Sequence, residues 1–147
     1  MTTVTVTDTL AAPVEDVFRA FTDIEHHVAR VSGIKAVEVL TTGEFRLGTR
    51  WRETREIMGR LDDAEMEVTQ FEKNRSYTIT HQKAGVRIDT VFAFAPAGDG
   101  TSVSITFALE NQGLPPGLLS PVSWAIAGKV KEALTKDLKD MKRSVEH

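Results

Sequence analysis

Apolar residues recur along the last quarter of the chain at Val122, Ile126, Val130, Leu134, Leu138, Met141 and Val145, in steps of four, four, four, four, three and four. That spacing keeps to one face of a helix and predicts a long amphipathic helix from residue 121 to about 145. Upstream, the period is different. Val4 and Val6 alternate with Thr3, Thr5, Thr7 and Thr9, and Asp8 and Leu10 continue their parity, so the N-terminus reads as a β-branched strand. After Ala11-Ala12, Pro13 suits the first turn of a helix and Glu15 and Asp16 suit its positive end, while Val14, Val17, Phe18 and Phe21 form one stripe. A second short helix fits residues 24–31, with Asp23 as N-cap and Ser32-Gly33 as its stop.

From Ile34 onward the period is two. Alternation predicts strands at 35–41, 49–58, 66–71, 76–82, 86–95 and 101–110, separated by turn residues at Thr42-Gly43, 59–63, Lys73-Asn74, Ala84-Gly85 and 96–100. Links this short favour an antiparallel meander. Residues 111–120 carry neither period and read as the loop that returns the chain to the last helix. A seven-stranded sheet must bury one face, and only the terminal helix is long enough to cover it. The expected fold is therefore α+β, a curved seven-stranded antiparallel sheet around a long C-terminal helix. Two short helices between strands 1 and 2 would plug one opening, leaving an enclosed apolar space between sheet and long helix.

Composition narrows the function classes. At 147 residues the chain suits one domain, 1–147, able to bury about two thirds of the surface its unfolded form exposes. With 41% apolar and 27% charged residues it is expected to fold as a soluble globule. No stretch approaches the roughly 20 apolar residues of a membrane span, which argues against membrane insertion. The N-terminal residues lack a basic and apolar leader and the chain has no cysteine, so a cytoplasmic location is expected. A net charge of −3 with scattered Lys and Arg offers no footprint for phosphate backbones, so no nucleic-acid partner is expected. Zinc-type spacings, a phosphate-loop glycine pattern and a Gly-x-Ser-x-Gly elbow are missing, and the adjacent His26 and His27 point apart on a helix, so neither metal nor cofactor is expected. Glu146-His147 reads either as the helix end or as a tag remnant.

The block from Leu10 through Pro13, Val17, Phe18 and Phe21 to Asp23 resembles the opening of the START/SRPBCC helix-grip superfamily, especially its polyketide cyclase/dehydrase-like branch. Gly48-Thr49-Arg50-Trp51-Arg52, the hairpin around Phe92-Ala93-Phe94 and Asp99-Gly100-Thr101, and the closing Leu138-Lys139-Asp140-Met141-Lys142 resemble it too. The resemblance covers essentially the whole chain, although His26-His27-Val28-Ala29 stands where many members carry a tryptophan. It implies the helix-grip fold and an internal cavity for hydrophobic ligands such as lipids, sterols or polyketides. No shared nucleophile or metal motif transfers with it, so site residues must come from strand parity.

Parity turns Val103, Ile105, Phe107 and Leu109 inward on one strand, Val86, Ile88, Thr90, Phe92 and Phe94 on another, and Tyr77, Ile79 and His81 on a third. Trp51 and Ile57 share a parity with Glu53 and Arg55. The expected ligand lining is Trp51, Tyr77, Ile79, Ile88, Thr90, Phe92, Ile105, Phe107, Val122, Ile126 and Val130, with aromatic residues equally suited to plain core packing. Polar intrusions on apolar faces are Asp8, Glu53, Arg55, His81, Thr90, Ser123 and Asp137. Glu53 and Arg55 either hold a polar ligand end, pair as structural ions, or face solvent if a bulge shifts the register. Asp137 either enters the inner face or overhangs the sheet and pairs with a surface lysine. His81 and Tyr77 suit general base and acid in enolisation or dehydration of a β-keto substrate, and weak catalytic candidates are His81, Tyr77, Glu53 and Arg55.

Three functions remain open: binding of a small hydrophobic ligand, a cyclase/dehydrase-like enzyme, and an interaction module resembling chaperone-ATPase activators, which needs an exposed patch instead of a pocket. The first expects a mobile mouth at residues 114–119. Either a monomer or a homodimer fits.

Overall fold

The computed structural model describes residues 2–57, 59–83, 85–111 and 120–146, with 2, 83, 111 and 120–127 in backbone only. Strand β1 (Thr2–Leu10) leads into helix α1 (Val14–Thr22), a 3-10 turn at Ile24–His26 and the short α2 (His27–Arg30). Six strands follow, β2 (Ile34–Val39), β3 (Arg50–Ile57), β4 (Arg60–Glu72), β5 (Ser76–Lys83), β6 (Val86–Ala97) and β7 (Gly100–Asn111), and then α3 (Ser120–Glu146). All neighbours in the sheet are antiparallel, in the order β1-β7-β6-β5-β4-β3-β2, so the meander is completed by β1 docking on β7. This is the seven-stranded antiparallel sheet with a long terminal helix that the two periods predict.

Three boundaries differ from expectation: β2 ends at Val39, short of 41, Pro96 and Ala97 extend β6 by pairing with Thr101 and Gly100, and β4 begins well before 66. The polar run 60–63 belongs to β4 and is not a turn: Ile57 pairs with Arg60, and Gly59, at φ 79°, makes the reversal. Charge density does not break the strand, because cross-strand partners absorb it, as where the Thr54 hydroxyl donates to Asp63 at 2.8 Å. Two irregularities also shape the sheet, one between Ile34 and Ala36 and one between Val68 and Gln70. The second inserts Thr69 and exchanges parity, so that Met66 and Val68 point inward before it and Phe71 after it.

Helix α1 plugs one end of the curved sheet with Val17, Phe18 and Phe21. Phe18 meets Phe94 edge-on with centroids 5.1 Å apart, Tyr77 stacks on Phe92 at 4.7 Å, and Phe45, from the loop before β3, closes on Tyr77 at 4.9 Å. Leu138 and Met141 of α3 join the same core. The end of α3 is pinned to β1, where Lys142 pairs with Asp8 at 3.2 Å and the Ala11 N–H donates to Glu146 Oε2 at 2.7 Å. It is also tied to the α2–β2 link, because the Ser32 N–H and hydroxyl donate to Asp140 at 3.0 and 2.9 Å. Glu146 is thus part of the packed fold.

The elbow between α1 and α2 shows how the open carbonyls at a helix end are satisfied. The Thr22 hydroxyl donates to Phe18 O at 2.9 Å, Arg30 to Ala20 O at 3.0 Å, and His27 Nε2 to Phe21 O at 2.8 Å. A carbonyl only accepts, so Nε2 carries the hydrogen. Burial holds His27 below its ordinary 6.5, against the pull of the Phe21 carbonyl, and nearby Arg30 adds to the effect. In the unfolded chain His27 takes its proton near pH 6.5, whereas the folded protein resists it to lower pH. Stability is therefore expected to fall as the pH drops below about 6.5 toward the lowered folded value. Urea midpoints measured from pH 7.5 to 5 should show a decline that His27→Gln makes shallower; equal slopes would count against a buried neutral imidazole.

Candidate ligand site on the inner face of the sheet

Directly opposed residues of antiparallel strands share a face, so the register sorts the inner surface into transverse rows. One row runs Phe71, Tyr77, Phe92, Ile105, Val6. The next runs Val68, Ile79, Thr90, Phe107, Val4, and a third holds His81, Ile88 and Leu109. The first row lies against α1 and is largely sealed, with Tyr77 and Ile105 each 2% exposed. Further along the strands the face opens: Ile79, Thr90, Phe107, His81, Ile88 and Leu109 are all half-buried. They point inward yet keep contact with solvent.

The expected lining residues therefore separate into two groups. Trp51, Tyr77 and Ile105 are sealed into the core and form a floor, with Phe92 stacked on Tyr77 at its margin. Ile79, Ile88, Thr90 and Phe107 make the open rows, and Val130 is half-buried on α3. The side chains of Val122, Ser123 and Ile126, and the 114–119 loop expected at the mouth, lie outside the described residues.

Glu53 and Arg55 keep the parity of Trp51 and face inward, so the solvent-facing alternative falls away. Arg55 Nε lies 3.5 Å from Glu53 Oε2, and its Nη1 lies 3.0 Å from Asp137 Oδ2. The Trp51 indole N–H points at Glu53 Oε1 over 3.4 Å. Asp137 thus pairs with a strand arginine and not with a surface lysine, its carboxylate meeting Arg55 beside Gly33. Gly33 makes room for the pair, since a Cβ there would stand 3.1 Å from Arg55 Nη1. Directly across from Arg55 on β4 is Asp62, on the same face. Burial raises both Glu53 and Asp137 above the ordinary carboxylate range, against the attraction of one guanidinium that they must share. Burial also opposes the charge on Arg55, but Asp137 and then Glu53 override it and hold the guanidinium further into its charged form.

A family model described as polyketide cyclase/dehydrase and lipid transport matches residues 1–146. The chain belongs to the polyketide cyclase/dehydrase and lipid transport family. Solved structures repeat its architecture. The Thermus thermophilus protein TTHA0849 is 21% identical, with 97% of this chain and 96% of that one aligned and a TM-score of 0.81. A START superfamily protein from Mycobacterium smegmatis is 21% identical over 99% and 97% of the two chains, with a TM-score of 0.78. The Zhui aromatase/cyclase from Streptomyces is 15% identical over 97% and 92%, with a TM-score of 0.81. At such identities these structures establish the fold alone. No curated protein sequence matches the chain.

For a polyketide cyclase/dehydrase family member the placement of Tyr77 and His81 matters. They share a face but stand four positions apart on β5, about 13 Å along the strand. Tyr77 lies in the floor, where complete burial pushes its phenol well above the ordinary 10, while His81 lies in the open row beyond. Only a ligand long enough to span both rows would touch the two. His26 is engaged by Asp23 at 2.8 Å and His27 by Phe21 O, and no cluster of three or more metal-binding side chains occurs among the described residues. An open groove of about 580 Å³ runs along Gly128, Lys131, Lys136 and Lys139 of α3, but no inner-face residue lines it.

Two features escape the sequence reading. Phe45 sits in a loop without periodicity, so nothing marks it as a core residue. The Arg55–Asp137 pair does leave a signal: opposite charges stand on two faces that are otherwise apolar, and each needs a partner.

Proposed function

We propose that the protein binds a small, largely apolar molecule of lipid, sterol or polyketide type between the open rows of the sheet and α3. The observation that carries this reading is the contrast along one continuous inner face. Its α1 end is sealed by aromatic packing, whereas Ile79, Ile88, Thr90 and Phe107 remain half-buried although they point inward. Membership of the polyketide cyclase/dehydrase and lipid transport family supports a hydrophobic-ligand or cyclase role for that space. Covering about 200 Å² of apolar surface is worth about 5 kcal/mol, enough to hold a two-ring ligand.

The test uses N-phenyl-1-naphthylamine, an uncharged probe whose emission rises in apolar surroundings. Saturable binding in the micromolar range is expected, and Thr90→Trp, which fills the middle of the open rows, should weaken it at least tenfold while circular dichroism stays native. No saturable binding by the wild type, or unaltered binding by a folded Thr90→Trp variant, would overturn the reading.

A second reading, acid–base catalysis of cyclase or dehydrase type, is favoured by one observation: burial raises the Glu53 carboxyl on this inner face, which favours its proton-donating form. Turnover of a bound β-keto compound that is lost in Glu53→Gln with probe affinity retained would support it; retained turnover would remove it. The interaction-module reading finds less support, since among the described residues the exposed large apolar side chains Val28, Leu40, Leu47, Ile57 and Leu61 are spread over α2, the β2–β3 loop and the β3–β4 hairpin.

A further inference from the structure

We propose that Phe45 sets the size of the ligand, its ring occupying the place against Trp51 and Tyr77 that one further aromatic ring of a longer ligand would take. This rests on the inner face being the ligand site. Trp51, Phe71 and Tyr77 all point to the inside of the sheet by register. The Phe45 ring stands against all three, with centroids 6.0, 5.9 and 4.9 Å away, so it lies on the concave side above them. Two of the rings that it meets are sealed, Trp51 at 1% and Tyr77 at 2% exposure, whereas Phe45 itself is only half-buried. Tyr77 stands two residues, about 7 Å, from Ile79 of the open rows. Phe45 therefore covers the corner where the aromatic floor meets the rest of the interior.

Phe18, Trp51, Phe71 and Tyr77 come from a helix or from strands, but Phe45 comes from the β2–β3 loop, and the loop is shaped to hold it. Gly43 and Gly48, at φ 91° and 90°, turn the chain on either side of it. Arg46 folds back over the first turn. Its Nη1 donates to Thr42 O and Glu44 O, each at 3.1 Å, and a Cβ on Gly43 would stand 2.6 Å from that atom. The guanidinium is thus turned onto carbonyls of its own loop. The Arg46 N–H donates to the Thr49 hydroxyl at 2.9 Å and the Gly48 N–H to Val68 O at 2.9 Å, which ties the loop to β4. None of these bonds uses the Phe45 side chain, so the loop keeps its path when the ring is shortened. The space left is bounded by the faces and edges of Trp51, Phe71 and Tyr77. An apolar void of ring size stays dry and takes up an aromatic guest. A ligand longer by one ring is therefore excluded by Phe45 and admitted by its truncation.

The test compares 2-naphthol with 6-phenyl-2-naphthol, which share one polar end and differ by one ring. Displacement of N-phenyl-1-naphthylamine, corrected for each variant's own affinity for that probe, gives the ratio of their dissociation constants. Comparing this ratio between two proteins cancels the greater affinity of the longer compound for any apolar surface. Phe45→Ala is expected to shift it toward the longer compound by about tenfold or more, and Phe45→Leu, which leaves a smaller void and a sounder fold, by about threefold. Phe18→Leu makes the same exchange in the ring on the α1 side of this cluster, 5% exposed, and should leave the ratio where the wild type has it. A ratio unmoved in folded Phe45 variants would overturn the assignment while probe binding still upheld the cavity. An equal shift in Phe18→Leu would do the same, since it would trace the effect to a loosened core. Failure of the wild type to bind the probe at all would instead remove the underlying reading.

Discussion

Arg55→Met is expected to cost about 3 kcal/mol of stability at pH 7.5, more than loss of any surface ion pair in the molecule. The substitution keeps an unbranched apolar stem but removes the guanidinium, leaving Glu53 and Asp137 on the inner face without the cation they share. Removing one partner from a fully buried pair costs about 3–5 kcal/mol, and the partial exposure of this cluster argues for the lower end. The deficit should also depend on pH in a definite direction. Burial holds both carboxyls above their ordinary values of 4.5 and 3.8, and without Arg55 the attraction that opposes this shift disappears. The folded variant then binds more protons than its unfolded chain between the ordinary and the raised values. It gains stability relative to wild type as the pH falls through the raised value. Comparing variant and wild type at each pH cancels the opposing contribution of His27. Urea unfolding at pH 7.5 and 5 measures the difference; a deficit below about 1 kcal/mol, or one that does not shrink on acidification, would mean that the cluster behaves as a solvated surface group.

Phe18→Ala should destabilise the fold by about 3–5 kcal/mol, lowering the melting temperature by about 10–15 °C. Phe18 is 5% exposed and touches Phe71, Tyr77 and Phe94, with ring centroids 6.0, 5.8 and 5.1 Å away. Its loss opens a void that these rings, fixed on three different strands, cannot collapse to fill. Phe107→Ala removes the same group from an open row, and there only about 1–2 kcal/mol should be lost, because part of that ring never left water. Thermal melts of the two variants side by side test the division of the inner face directly. Losses of equal size would show that the two ends are packed alike.

The two periods make the architecture legible because they report burial, and burial decides which face each element presents. Parity alone turns Trp51, Glu53, Arg55, Tyr77, Thr90 and Phe107 inward, and the register bears this out. What parity does not contain is distance along the strand. That Tyr77 belongs to a floor and His81 to an open row follows from where α1 inserts its phenylalanines, a long-range event with no local signature. The partnership of Arg55 with Asp137 has the same origin, since it joins residues 82 positions apart in the chain. The polar residues 60–63 read as a turn because their composition is that of a turn, and only pairing with β3 makes them a strand. Phe45 is invisible for a simpler reason: a loop has no period to violate.

The extra residue at Thr69 gives β4 two independent phases. Upstream of it the even-numbered Asp62, Ala64 and Met66 face the charged and open part of the interior; downstream, the odd-numbered Phe71 faces the aromatic floor. Variation facing the charged part of the interior and variation facing the aromatic floor can therefore accumulate on the same strand without interfering with each other. Deleting that single residue would fuse the phases, turning Phe71 toward solvent or carrying Asp62, Ala64 and Met66 away from the interior. Point substitutions upstream of residue 69 leave the packing of Phe71 in place, but an insertion or deletion between the two halves would disturb both at once.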